Sequence, residues 1–297
     1  MTLELDGRVV IVTGAGRGLG REHALLMAAE GARVVVNDLG GSSVGEGNDL
    51  TPAQETVAEI RSAGGTAIVN GDDIADWDGA KRMVAAAITE FGDLHVLVNN
   101  AGILRDRMLA NMSEDEFDSV VRVHLRGHFC PTRHAAEFWR DQSKAGITVD
   151  RSLINTSSTS GLLGNVGQGN YGPAKAGIAS MTIIANIELR KYGVRANAIA
   201  PAARTRLTAA TASTPVPDAF DAGDPANVSP MVAYLATAGC PLNGQVYFVH
   251  GGRIQLMQPW SLHDQIRANK RWTIAELRDA TQGFAATVFP SIEALTQ

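Results

Sequence analysis

The sequence predicts a doubly wound α/β fold, and three observations carry that reading. Short β-branched runs alternate with longer amphipathic stretches, the pattern of parallel strands joined by crossover helices. Several of the runs are apolar throughout, as strands buried on both faces are. A glycine-rich run, TGAGRGLG from Thr13 to Gly20, stands between the first strand and the first helix, where a doubly wound sheet receives a phosphate.

Seven strands are expected: Arg8 to Thr13, Ala32 to Asn37, Thr66 to Asn70, His95 to Asn99, Ser152 to Thr156, Val194 to Ile199 and Gln245 to Val249. Between them lie helix signals. Thr51, with Pro52 next and Gln54 at the third helical position, and Ser113 with Glu116 both have capping-box spacing. Gly31, Gly64, Gly92 and Gly193 stand where helices should stop. Three segments break the rhythm. Leu39 to Leu50 is a long polar loop rich in glycine, and Ala202 to Asp224 lacks a clear period and suggests a flexible lid. Beyond Gly252, Trp260, Ile266, Trp272 and Leu277 read as contacts of a helical appendix packed on the core or on a partner subunit. The expected organisation is a single domain, residues 1–297, with its core over about 5–252 and a C-terminal extension over 253–297.

Composition narrows the partners. A chain of 297 residues with 45% hydrophobic content can form one continuous core. A net charge of -5 without Lys/Arg clusters argues against nucleic acid or an anionic membrane surface and favours small molecules. Two cysteines, Cys130 and Cys240, do not make a disulfide framework and suggest a reducing compartment. With no secretory leader in Met1 to Gly7 and no apolar stretch of the ~20 residues that span a bilayer, a cytoplasmic protein is expected. No metal enters the expected site.

The glycine run offers a tight turn and close backbone approach to a pyrophosphate, with Gly14, Arg17, Gly18 and Leu19 as candidate contacts. Alone, such a run is weak; the strand before it and the helix after it strengthen it. Asp38 ends the second strand, 20 residues beyond Gly18, where a carboxylate meets the adenosine ribose hydroxyls and repels a 2′-phosphate. That favours NAD over NADP, although Arg17 points the other way and a solvated strand-end acid is the plainer reading of Asp38 by itself. Asp73-Ile74 and Asn100-Ala101-Gly102 follow the third and fourth strands on the same sheet edge; each read alone is an ordinary turn.

Tyr171 and Lys175 stand four residues apart on a helix, after the run Thr156-Ser157-Ser158-Thr159-Ser160. That spacing puts phenol and ammonium on one face, where the positive charge stabilises a phenolate and makes the tyrosine a base. A Tyr/Lys pair at this spacing is more often a surface pair, and a serine in such a run more often a turn former.

Taken together, TGAGRGLG, Asp38, Asp73-Ile74, the NNAG of Asn99 to Gly102, Ser158, Tyr171 and Lys175 resemble the short-chain dehydrogenase/reductase family over about Leu5 to Gly252, with Ser158 at the family's separation of 13 residues before Tyr171. A narrower resemblance lies in VVVNDLGG (34–41), NNAGILRDR (99–107), VHLRGHF (123–129), GNVGQGNY (164–171) and IAPAARTRLT (199–208). These runs look like the (3R)-hydroxyacyl-CoA dehydrogenase unit of peroxisomal multifunctional enzyme type 2 and its stand-alone bacterial relatives. The resemblance implies a Rossmann-like fold with a seven-stranded parallel sheet and a homodimer or homotetramer. It implies Tyr171 as base, Ser158 on the substrate oxygen, and Lys175 lowering the phenol's pKa and holding the nicotinamide ribose. Tyr171 itself and Pro201 are expected beside the nicotinamide. No hydratase or sterol-carrier segment follows, so dehydrogenation alone is expected here.

Two positions depart from the broad family. His124 stands where many members carry an asparagine of a water-mediated relay, and either orients a water or a backbone group or is a packed helix residue. Ala202 replaces a glycine after Pro201. The expected substrate is a 3-hydroxyacyl-CoA of fatty-acid or sterol side-chain degradation. The alternatives are a hydroxysteroid dehydrogenase acting on a ring hydroxyl and, more remotely, a non-catalytic NAD-binding scaffold. Arg105, Arg107 and Arg126 suggest CoA phosphates less strongly than ordinary surface or interface arginines.

Overall fold

A computed structural model describes residues 3–205, 208, 220–258, 260–262, 264–285, 287 and 292. Its strands are β1 (Val9–Thr13), β2 (Arg33–Asn37), β3 (Thr66–Asn70), β4 (Val96–Asn99), β5 (Arg151–Thr156), β6 (Val194–Pro201), β7 (Val246–His250) and β8 (Arg253–Met257). The helices are α1 (Gly18–Ala29), α2 (Thr51–Ser62), α3 (Trp77–Phe91), α4 (Glu114–Val121), α5 (Gly127–Lys144), α6 (Thr159–Leu163), α7 (Tyr171–Leu189), α8 (Ser229–Ala236), α9 (Ile274–Ala280) and α10 (Gln282–Ala285). One sheet runs β3-β2-β1-β4-β5-β6-β7-β8, parallel except for the last pair. All seven expected strands are present, each within two residues of its expected ends.

The alternation of side chains along β1 explains the two layers. Val10 and Val12 face a core closed by Ala24 and Met27 of α1, Val57 and Ile60 of α2 and Val232 and Leu235 of α8. Val9 and Ile11 face the opposite core, with Met83 and Ala87 of α3, Ala135 and Trp139 of α5 and Leu189 of α7. A strand with an apolar layer on each side has no polar face to present. The chain thus reads VVIVT at β1, all of it buried. Strand order reverses between β1 and β4, so the crevice at their carboxyl ends is where this fold takes a ligand.

Three expectations change. The sheet has an eighth strand: Gly251, at φ +53°, turns the chain so that β8 pairs antiparallel with β7, and the sheet extends five residues past Gly252. Sequence periodicity missed β8 because most of it is exposed at the sheet edge, leaving no buried face to mark it. The capping box at Thr51 is absent. Thr51 is already helical, and the Asp49 carboxylate two residues earlier accepts its N–H at 3.0 Å. The box at Ser113 and Glu116 forms as expected.

In the tail, Trp260 and Leu277 are exposed, whereas Ile266 and Trp272 are half-buried. Of the expected lid, residues 206, 207 and 209–219 lie outside the described residues. Its two ends meet where the Arg204 guanidinium pairs with the Asp221 carboxylate.

Candidate active site

The glycine run forms a cradle that any Cβ would fill. At Gly14 a Cβ would come within 2.7 Å of the Ala101 Cα, at Gly16 within 2.9 Å of Asp38 Oδ2, and at Gly20 within 2.2 Å of the Gly14 carbonyl oxygen. Gly14 and Gly18 also hold positive φ. Arg17 caps α1 in extended conformation without a side-chain hydrogen bond, so the first-turn amides of α1 face the loop, as a pyrophosphate needs. Asp38 is fixed rather than solvated: Gly16 N–H donates to Oδ2 at 2.8 Å and Gly40 N–H to Oδ1 at 2.7 Å.

The turn after β4 clasps this cradle. Asn100 Nδ2 donates to the Thr13 carbonyl at 3.0 Å, and Thr13 Oγ1 accepts the N–H of Asn100 at 2.9 Å and of Ala101 at 3.2 Å. Gly102 is required on the other side, where a Cβ would lie 2.3 Å from the His124 ring. Asp73 turns its carboxylate to Ala75 N–H at 2.8 Å and to Arg122 at 2.6 Å. Ile74 is buried against Gly127, and Pro201 ends β6. Every expected dinucleotide residue thus stands at or beside the carboxyl edge of the sheet. The cradle, the clasp and the fixed carboxylate fit a nicotinamide dinucleotide.

Beyond β5 stands the second constellation. Ser158 is buried and caps α6, its hydroxyl accepting Ser160 N–H at 3.1 Å. Tyr171 opens α7, and Lys175 lies one turn on, buried, its Nζ donating to the Thr156 carbonyl at 2.6 Å. The Lys175 nitrogen is 5.5 Å from the centre of the Tyr171 ring. Gly161 lets α6 and α7 approach, since a Cβ there would meet Ala176 N at 2.5 Å.

Electrostatics here departs from expectation. Burial pushes the Tyr171 phenol up to about 12, against a hydrogen bond with Ser158 that pulls it down. Burial also pulls the Lys175 ammonium down to about 7. The phenol is not lowered by the lysine as the spacing suggests. Removing both groups from water penalises each charged form, and the ammonium donates one of its hydrogens to the Thr156 carbonyl.

Three residues that sequence reasoning passed over or left open complete the arrangement. Asn170 is fully buried: its carbonyl oxygen accepts Tyr171 N–H at 2.7 Å, and its amide donates to the carbonyls of Arg105 at 2.8 Å and Glu116 at 2.9 Å. An asparagine directly before an expected helix is a capping signal, and that signal was available. His124 lies in a π-helical turn, Arg122–Arg126, an irregularity no sequence period announces. Its ring packs edge-on against Tyr171 at 5.0 Å between centres, and Nε2 lies 2.8 Å from the Ile103 carbonyl. Burial and the Lys175 charge hold it well below the usual histidine range, hence neutral; it orients a backbone group. The third, Arg122, is the partner of Asp73.

The arginines weighed against CoA are all engaged within the chain. Arg105 pairs with Asp115, Arg107 with Glu116 at 3.0 Å, and Arg126 donates to the Ala75 carbonyl at 2.8 Å.

A serine, a tyrosine and a lysine brought together beside a dinucleotide cradle have a counterpart in the comparisons with known proteins. The sequence profile of the short chain dehydrogenase family matches residues 8–215. The chain belongs to that family. It is 43% identical to the hydroxyacyl-CoA dehydrogenase ChsB1 of Mycobacterium tuberculosis, over 96% of this chain and 94% of that protein. It is 44% identical to the peroxisomal multifunctional enzyme type 2 of Mus musculus over 85% of this chain, but spans only 33% of that longer protein. A crystal structure of a short chain dehydrogenase from Mycobacterium avium superposes with a TM-score of 0.87 at 50% identity, covering 97% of this chain and 98% of that one. Membership makes this chain an oxidoreductase that uses a nicotinamide cofactor.

Proposed function

We propose that the chain is an NAD-dependent 3-hydroxyacyl-CoA dehydrogenase, converting a 3-hydroxyacyl-CoA to its 3-oxoacyl-CoA in fatty-acid or sterol side-chain degradation. The observation that carries it is the convergence of Ser158, Tyr171 and Lys175 beside the cradle, in a chain similar over nearly its whole length to a hydroxyacyl-CoA dehydrogenase. The oxidised nicotinamide supplies the acceptor for the hydride that leaves the carbinol carbon. For this step Tyr171 first releases its own proton, and as phenolate it takes the hydroxyl proton at its ring oxygen. Ser158 donates to the same substrate oxygen and steadies it as the carbonyl forms. Lys175, held by Thr156, positions the base and offers its ammonium to the cofactor ribose.

Asp38 supports NAD over NADP: its carboxylate, held by two backbone amides, favours ribose hydroxyls and repels a 2′-phosphate. Residues 1–297 are read as one catalytic domain, with β8 continuing the sheet past Gly252. A homodimer or homotetramer is supported by apolar side chains on the outer surface of α5 and α7, where Phe129, Ile184 and Ile187 are exposed. No helix among the described residues is long and apolar enough to cross a membrane. Two free cysteines support the cytoplasm as its compartment.

The test is reduction of NAD and NADP against a panel of (3R)- and (3S)-hydroxyacyl-CoA thioesters and ring hydroxysteroids. A hydroxyacyl thioester is expected to have the highest kcat/KM, with NAD. Preference for free steroids over every thioester overturns the substrate assignment.

A further inference from the structure

We infer that Asp49, in the loop between β2 and α2, is a specificity-determining residue that silences a phosphate-attracting corner beside Asp38 and so excludes NADP. The inference rests on the assignment of the adenosine ribose site to Asp38 made above.

The corner contains two groups that ordinarily bind a phosphate. One is Arg17, inside the glycine run; the other is the N-terminus of α2, a helix of 12 residues whose first amides carry partial positive charge. Both lie at the cradle. A Cβ at Gly16 would meet Pro52 Cβ at 3.0 Å and Ala53 N at 3.1 Å as well as Asp38 Oδ2 at 2.9 Å. A 2′-phosphate on a ribose held at Asp38 would therefore meet the start of α2, with Arg17 next to Gly16 in the chain.

Asp49 engages both. Its Oδ2 lies 3.9 Å from Arg17 Nη2, and its Oδ1 accepts Thr51 N–H at 3.0 Å. The hydrogen bonds from Thr51 hold its carboxyl below the ordinary range, so it is charged at neutral pH. An exposed pair at this distance contributes little to stability. Its effect is on the charge that a ligand meets: a phosphate arriving here would find a carboxylate already beside Arg17, and two carboxylates in place of one.

The position of Asp49 is built into the loop. Asp49 N–H donates to the Gly40 carbonyl at 3.2 Å, and Gly40 N–H donates to Asp38. Gly40 holds φ +80°, and a Cβ there would lie 1.9 Å from the Asp49 carbonyl oxygen. Only glycine lets the two ends of the loop meet, and the neck they form sets the Asp38 and Asp49 carboxylates on one rim. Arg17 in the glycine run, which by itself argues for NADP, is thereby reconciled with Asp38.

The experiment compares kcat/KM for NADP and for NAD in wild type, Asp49→Asn, Arg17→Ala and the double variant. Asparagine retains an oxygen to accept Thr51 N–H and removes only the charge; Asp49→Ser serves the same purpose should Asp49→Asn fold poorly. The NADP/NAD ratio is expected to rise about tenfold in Asp49→Asn, which corresponds to about 1.4 kcal/mol, and to return to its starting value when Arg17→Ala is added. A ratio within twofold of wild type in both Asp49 variants overturns the inference, as does a gain that survives the loss of Arg17. A wild-type preference for NADP overturns the reading of Asp38 instead, whatever the variants do.

Discussion

Lys175 Nζ donates a 2.6 Å hydrogen bond to the carbonyl of Thr156, tying α7 to the end of the strand that leads into Ser158. The lysine is buried and its ammonium is pulled down to about 7. Unfolded, it keeps its proton up to about 10.4. Between those values the unfolded chain binds more protons, so this residue makes stability rise with pH, by up to about 1.4 kcal/mol per unit. Lys175→Met is expected to flatten that rise in urea unfolding measured from pH 7 to 10, while lowering kcat at least 100-fold. An unchanged slope would mean that the ammonium is not desolvated as described.

Acid should destabilise the protein for a related reason. His23 is held at about 3 by burial, and burial also lowers His124 and His128 well below the usual range. Each stays neutral when folded and takes a proton on unfolding below about pH 6.5, so stability falls as pH drops through that value. The polar surroundings of the buried His128 ring are the backbone groups of His124 and Asn99, and neither ring nitrogen makes a well-formed hydrogen bond among the described residues. His128→Leu should therefore reduce the slope between pH 4 and 6.5, again by up to about 1.4 kcal/mol per unit. A slope as steep as wild type would contradict this.

Asn170 joins three backbone groups to the start of α7. Asn170→Ala leaves two carbonyls and one amide without those partners, at a cost of about 2–4 kcal/mol. It also frees the backbone of Tyr171. Thermal unfolding should show the loss of stability, and kcat/KM should fall at least tenfold at temperatures where the variant is folded. Wild-type kcat/KM in a destabilised variant would reduce Asn170 to a purely structural role.

His124 and Gly102 should behave as a coupled pair. Gly102→Ala drives a methyl group to within 2.3 Å of the His124 ring and is expected to displace it from Tyr171. Shortening the side chain with His124→Asn makes room. The double variant should therefore lose less stability than the two single losses added together, a non-additivity above about 0.5 kcal/mol. Strict additivity would show that the contact is relieved elsewhere.

Much of this architecture was legible because it repeats a period or a spacing. The apolar runs gave the seven parallel strands, and the glycine run, Asp38, Ser158, Tyr171 and Lys175 lie together at the carboxyl edge of the sheet. What escaped has physical reasons. β8 has no buried face, and the π-turn at His124 has no sequence period. The cap expected at Thr51 is absent because the helix starts there, with Leu50 at the N-cap and the Asp49 oxygen reaching forward two residues to the Thr51 N–H. The direction of the Tyr171 shift was misjudged because spacing shows which charges are neighbours but not how deeply they are buried.

The central claim is that Tyr171 accepts the substrate proton. The most direct measurement is kcat/KM for oxidation of a (3R)-hydroxyacyl-CoA by Tyr171→Phe, with NAD binding measured on the same preparation. The account predicts a loss of at least 1,000-fold, about 4 kcal/mol of transition-state stabilisation, with NAD affinity within a few-fold of wild type. Turnover within tenfold of wild type would contradict it.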